Sequence, residues 1–212
     1  MMRDTTLELD RWLQAGGKTA GQICITCAGE GWELRHTEDA LREDLTTFSK
    51  YEDARALANL DDAGAFRPLK TAPNLRHGWR LALADAHAVC LALDYFYPAM
   101  LGVWLAHRDG EVTPVDLHDT LARQTGMYRI TQKLTDEQAQ RLIARQCRSN
   151  GGCLKTILWR IRETISVPLL PPEKFRAEAT PVGALPLLCQ EACNFVVAAA
   201  RKMVKDETPL AP

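Results

Sequence analysis

The sequence lacks a long hydrophobic run, a bias of charge and any closely spaced pair of histidines, and each absence removes a class of protein. Its most apolar stretch, VGALPLLCQEACNFVVAAA, is interrupted by Gln190, Glu191 and Asn194, short of the ~20 continuous apolar residues of a membrane helix. No membrane is expected among the partners. The net charge is −1, and aromatic residues make up only 7% of the chain. A nucleic-acid surface built from basic residues interleaved with aromatics is not expected on that composition. The histidines, His36, His77, His87, His107 and His118, form no HxH or HxxH pair, and no Ser-His-Asp order, phosphate loop or metal-hydrolase motif is present. The first residues, MMRDTTLELDRWLQ, carry Asp4, Glu8 and Asp10 where a signal peptide has its apolar stretch. No export signal is therefore expected, and the cytoplasm is the predicted location.

What the chain does have is enough length for a core and an unusual set of cysteines. With 212 residues, 46% of them hydrophobic, it can bury a core without disulfide or metal staples. Seven cysteines, at 24, 27, 90, 147, 153, 189 and 193, in a reducing compartment point to metal ligation or redox chemistry rather than a disulfide framework.

The local patterns predict an α+β fold. Residues 5–14 put Leu7, Leu9, Trp12 and Leu13 roughly on one face of a short helix that stops at Gly16-Gly17, and QICITC and WELRH flank a glycine-bearing turn, the pattern of a β-hairpin. KYEDARALANLDD reads as an amphipathic helix. FRPLKTAPNLRHG is broken by prolines and should lead, extended, into a strand at Trp79–Leu83. ADAHAVCLALDYF reads as a largely buried helix, and Pro98 suits the first turn of the next helix, AMLGVWLAHR, which stops at Asp109-Gly110. Beyond Val112 strand signals thin out. VDLHDTLARQTG is a helix candidate, and TDEQAQRLIARQ has Thr135 as N-cap and acids in its first turn. LKTILWRIRE and LLCQEACNFVVAAARKMVK are also expected to be helical, joined by a wrap containing Pro168, Pro171, Pro172, Pro181 and Pro186. The division expected is a mixed α/β part over 1–112 and a mainly helical part over 113–212.

The cysteines of the second part form two close pairs. Cys147 and Cys153 have five residues between them and Cys189 and Cys193 have three. In the first pair Gly151-Gly152 lets the backbone fold tightly around a bulky group and present amide donors to it. In the second, a helix would project both thiolates from one face. A four-thiolate cluster carries negative charge, which the amino ends of helices starting near Cys153 and Leu187 would favour. A 4Fe-4S cluster fits this better than structural zinc, which draws on closer Cx2-4C pairs. Buried, unliganded cysteines are the remaining alternative.

The order Cx5C, long gap, Cx3C resembles the cluster signature of sirohaem-dependent sulfite and nitrite reductases, although those enzymes have a larger, repeated fold than this chain can hold. The wording around the cysteines resembles something closer: FRPLKTAPNLRHGWRL (66–81), LDYFYPAMLGVWLAHRDG (93–110), RQTGMYR (123–129), NGGCLKTILW (150–159) and CQEACNFVVAAAR (189–201). Together these are similar to the iron-sulfur domain, with its accompanying stabilising domain, attached to sirohydrochlorin cobaltochelatase modules in some bacteria. The resemblance implies that 1–112 is the stabilising domain and 113–212 the cluster domain. It further implies that Cys147, Cys153, Cys189 and Cys193 ligate a 4Fe-4S cluster, and that the chain is the accessory part of such a system without the chelatase histidines. Its expected role is an accessory or electron-transfer protein of tetrapyrrole metabolism, with a redox or chelatase protein as partner. A small sirohaem-dependent reductase and a purely structural iron-sulfur module are the alternatives.

The remaining features carry weaker signals. Between Arg123 and Glu163 nine basic residues face three acids, a net +6. Arg123, Arg129, Arg145 and Arg148 are candidate contacts for an anionic, polycarboxylate tetrapyrrole, against the plainer reading that they offset the cluster's own charge. Cys24 and Cys27 have the CxxC spacing of a redox dithiol, but strand alternation places them on opposite faces. They and Cys90 are expected to be packing residues. His77, between Arg76 and Trp79, is a candidate contributor to a site in the loop region, against the favoured reading of a surface or hydrogen-bonded structural histidine.

Overall fold

The computed structural model describes residues 4–59, 75–112, 115–122, 133–147, 156–157, 159–160, 181–189 and 193–206. It divides into two compact units, the first Met1–Val112 with Thr180–Leu187, the second Thr113–Ala179 with Leu188–Pro212.

The first unit opens with α1 (Thr5–Gln14), capped by the Asp4 carboxylate, which accepts the N–H groups of Thr6 and Leu7. Its buried residues, Leu9 and Leu13, lie one turn apart on one face. The helix ends where Gly16 takes φ +93°. Strand β1 (Thr19–Ala20) turns back into β2 (Ile23–Ala28), which pairs antiparallel with β3 (Gly31–His36) from Ile23 opposite His36 to Ala28 opposite Gly31. Only Gly29 and Glu30 join the two strands, and Gly29 sits at φ +63°, a conformation that glycine adopts without a Cβ clash. A 3-10 turn at Thr37–Asp39 leads to β4 (Thr46–Phe48) and α2 (Asp53–Asn59). Strand β5 (Trp79–Leu83) lies antiparallel to β3 and parallel to β4.

Helices α3 (Ala86–Phe96) and α4 (Met100–Arg108) complete this unit. Helix α3 packs on β3 and β5, and α1, α2 and α4 pack on α3. The inward residues of the strands, Ile23, Ile25, Leu34, Trp79, Leu81 and Leu83, are buried with Val89, Leu93 and Phe96 of the helix. The rings of Trp79 and Phe96 stack at 5.2 Å between centroids. Pro98 does not lie in the first turn of α4 as the sequence suggested. The N-cap is Ala99, held at φ +61°, with its N–H donated to Asp94 Oδ1 at 2.9 Å, so Pro98 precedes the cap. Ala184–Leu185 (β9 in chain order) joins β1 in parallel, giving a six-stranded mixed sheet in the order β4-β5-β3-β2-β1-β9.

The second unit contains β6 (Val115–Asp116), α5 (Leu117–Ala122), α6 (Asp136–Gln146), β7 (Thr156–Ile157), β8 (Trp159–Arg160), β10 (Leu188–Cys189) and α7 (Asn194–Asp206). Thr135 caps α6 through a reciprocal pair: Gln138 N–H donates to Thr135 Oγ1, and Thr135 N–H to Gln138 Oε1, a capping box. Leu117 and Leu121 of α5, Ala139, Leu142 and Ile143 of α6, and Val196, Val197, Ala200 and Val204 of α7 share one buried cluster. In each helix these positions recur at intervals of three or four, the spacing of a helical stripe.

Two expected helices are corrected here. Thr156–Ile157 and Trp159–Arg160, within LKTILWRIRE, are strands paired in parallel with Leu188–Cys189 and Val115–Asp116. β-Branched and aromatic residues fit such extended pairs, and partners distant in sequence override the helical pattern. For the same reason α7 begins at Asn194 rather than near Leu187: the backbone of Leu188 and Cys189 is engaged in β10.

Together the units form an α+β architecture. Among the described residues no single helix is long and apolar enough to cross a membrane. Helices α3 and α4 reach that length and composition only as a pair, and they are bent by 103°.

Candidate functional site

The described cysteines of the second unit sit where helices end and begin. Cys147 is the C-cap of α6, in extended conformation, and donates its N–H to the Ile143 carbonyl at 2.9 Å. Its side chain, 6% exposed, belongs to the buried cluster of α5, α6 and α7. Cys193 immediately precedes α7, accepts the Val197 N–H at 3.0 Å on its carbonyl, and packs half-buried against that same cluster. One small core thus carries a thiol from each of its two longest helices.

Cys189 lies on β10, half-buried, opposite Ile157 of β7. It does not share a helix face with Cys193, which corrects the expected geometry of that pair: one thiol comes from a strand and the other from the entry to a helix. Cys153 lies outside the described residues, as do Arg123, Arg129 and Arg148. Arg145 is exposed in the last turn of α6.

The donor set suits an iron-sulfur group. Cys147, Cys189 and Cys193 supply sulfur donors, soft ligands of the kind such clusters require. Cys193 also stands at the amino end of the 13-residue α7, where the helix dipole favours the negative charge of a cluster.

The other described thiols belong to the first unit. Cys24 is half-buried on β2 opposite Arg35, and Cys27 is exposed with its Sγ 3.7 Å from the Gly29 carbonyl oxygen. Cys90, expected in the core, is only half-buried on α3; burial pushes its thiol pKa up, against the lowering effect of a hydrogen bond with the Thr6 side chain.

A further cluster of potential ligands lies in the first unit, and the sequence singles out only His77 among its members. His36, at the end of β3, and His77, at the entry to β5, bring their rings to 3.9 Å between centroids, with Glu38 beside them. No short motif links them. The only available signal was the pairing of the two strands, in which Arg35 stands opposite Arg80.

Comparison with known proteins accounts for nearly the whole chain. Residues 8–108 match the family described as the DR2241 stabilising domain, and residues 109–202 match the 4Fe-4S iron-sulfur cluster binding domain. The chain joins a DR2241 stabilising domain to a 4Fe-4S cluster-binding domain. Its cofactor is therefore a 4Fe-4S cluster, and Cys147, Cys153, Cys189 and Cys193 all fall within the residues matched to the cluster-binding domain. The stabilising and cluster-binding domains are similar in structure to DR2241 from Deinococcus radiodurans, with 30% identity and a TM-score of 0.71. That protein is described as multi-domain, with structural similarity to chelatases and two additional novel domains. The match covers 98% of this chain and 43% of the Deinococcus chain, so this chain spans less than half of that protein's length. No curated protein matches this chain.

Proposed function

We propose that Cys147, Cys153, Cys189 and Cys193 are the four ligands of the cluster, and that the protein is an accessory or electron-transfer module serving a chelatase-type partner in tetrapyrrole metabolism. The observation that carries the ligand assignment is the placement of Cys147 and Cys193 against one core, at the end of α6 and the head of α7. The link to a chelatase rests on the description of the Deinococcus protein, and the tetrapyrrole on the resemblance of the motifs at 66–81 and 150–159 to domains attached to sirohydrochlorin cobaltochelatases. A bound 4Fe-4S cluster supplies one-electron exchange at a potential set by its hydrogen bonds, net charge and exposure.

The chain's own residues set those quantities. The α6–α7 core withdraws Cys147 from water while Cys189 and Cys193 remain half-exposed, so a partner would approach from the side of the second pair. Four thiolates leave no iron open to substrate, which favours electron transfer or support of a partner over Lewis-acid chemistry. The exposed Arg145, with Arg123, Arg129 and Arg148, is proposed to meet an anionic partner or a tetrapyrrole carboxylate. Free thiols suit a reducing compartment such as the cytoplasm.

Protein purified without oxygen should carry about four irons and four sulfides per chain. Serine at any one of the four positions should lower the iron content and change the EPR spectrum of the reduced protein, whereas serine at Cys24 or Cys27 should leave both unchanged. Full iron content in Cys147→Ser and Cys193→Ser, or a colourless zinc-loaded protein, would overturn the assignment.

A further inference from the structure

We infer that His36, Glu38 and His77 form a second metal site in the first unit, one that takes a single borderline divalent cation such as Zn2+. One ligand atom from each of the three lies within 4.8 Å of the others. Two imidazoles and one carboxylate are a donor set suited to zinc and its first-row neighbours rather than to magnesium or calcium.

The arrangement has a built interior and an open lip. His36 is fully buried, His77 is about one-third exposed, and the Glu38 side chain is 74% exposed, so a cation enters past Glu38 onto an imidazole fixed from below. His77 is presented in the orientation that ligation needs. Its Nε2 faces Glu38 Oε2 at 3.9 Å, while its Nδ1 faces Asp39 Oδ1 at 4.0 Å. A ligating histidine ordinarily directs its second nitrogen at a carboxylate of this kind, which fixes the tautomer and raises the basicity of the first. Asp39 is itself held: it is buried, accepts the Gly78 N–H at 2.6 Å on Oδ2, and accepts from Arg42 at 3.0 Å on Oδ1.

The fold also fixes the distance between the histidines. His36 ends β3 and His77 precedes β5, the adjacent strand of the sheet, and Gly78 at φ +82° turns the chain between His77 and Trp79. One competing demand limits affinity. His36 Nδ1 accepts the Glu38 amide N–H at 3.1 Å, so a cation taken at that nitrogen must displace this cap. Three protein ligands leave the remaining coordination position to water.

The test is calorimetric titration of Zn2+ into the full-length, cluster-loaded protein without oxygen, with iron content followed throughout so that zinc captured by the cluster cysteines appears as released iron. The expected result is one Zn2+ per chain with no loss of iron, and an affinity at least about tenfold weaker in both His77→Gln and Glu38→Gln. Glu38 is exposed, so its variant remains decisive if His77→Gln lowers the unfolding midpoint of the metal-free protein. Absence of binding, equal affinity in Glu38→Gln, or zinc uptake matched by iron release would each overturn the site.

Discussion

Cutting Leu142 back to alanine tests how far the small core of the second unit governs the cluster. Leu142 is 1% exposed, and the neighbouring Ile143 holds the Cys147 N–H on its carbonyl. The substitution removes about three buried carbons, which at ~0.8 kcal/mol each is about 2.5 kcal/mol of lost transfer free energy, and the cavity left behind raises the total to as much as about 5 kcal/mol. Because the Cys147 side chain belongs to the same cluster, the loss is felt where the thiol is held. If local opening releases the thiolate, a 2.5 kcal/mol loss multiplies the open population by about 70. The assay is the decay of visible absorption when cluster-loaded protein is mixed with a ferrous-iron chelator without oxygen. The chelation rate should rise at least about tenfold, with a lowered unfolding midpoint by circular dichroism. Leu81→Ala, an equal cut in the sheet of the first unit where Leu81 is 0% exposed, serves as the control and should leave the chelation rate unchanged. A lowered midpoint in Leu142→Ala with an unaltered chelation rate refutes the idea that this core restrains the ligand.

Three further predictions concern single contacts. Gly31→Ala would set a Cβ against the Leu83 backbone oxygen, far inside contact distance, and should cost about 1–3 kcal/mol in chemical unfolding; Gly29→Asn, with open space around its Cβ, should cost less because Asn tolerates the left-handed region. Thr135→Ala removes the cap of α6 and should cost about 1 kcal/mol in the same measurement, and Thr135→Ser should recover most of it. The Glu8 carboxyl is held below its ordinary pKa chiefly by its hydrogen bond from Arg108, with Arg11 adding to the effect. A carboxyl depressed on folding contributes stability above its unfolded pKa and loses it as pH falls through the folded value. Glu8→Gln should therefore flatten the acid limb of the stability–pH curve, and an unchanged acid limb would count against the Arg108 pairing in solution.

The elements readable from sequence were those fixed by neighbours within a few residues. Helix α1 is marked by Leu7, Leu9, Trp12 and Leu13 and its glycine stop, although only Leu9 and Leu13 are buried and Leu7 is exposed; the hairpin is marked by two short apolar runs around a glycine-bearing turn, and α6 by Thr135 and the acids after it. What was misread depended on partners far along the chain. Leu188 and Cys189 continue the apolar pattern of α7 smoothly, yet Thr156 and Ile157 take up their backbone, and no window of a dozen residues contains both segments. Pro98 lies two residues before Met100, the first residue of α4, rather than in its first turn, because Ala99 adopts a left-handed cap that alanine does not announce. Two cysteine pairs were enough to suggest a cluster, since the chemistry needs only the residue types and a plausible reach. The histidine pair stayed hidden because it exists only through the register of β3 and β5.

The parallel pairing of β9 with β1 has a consequence for assembly. Thr19 lies opposite Ala184, so this contact closes a loop of about 165 residues and pays its entropy before any local reward, which makes it a late step in folding. The β9 segment falls between the two cysteine pairs and runs on to Leu187, whose side chain lies against Gly21, two positions before Cys189. Cys189 thus follows closely in sequence on a segment whose strand pairs with β1. A fragment beginning at residue 113 would contain Cys147, Cys153, Cys189 and Cys193 and keep the pairing of β10 with β7, but Ala184–Leu185 would lose its β1 partner, so the chain leading into Cys189 would be held on one side only.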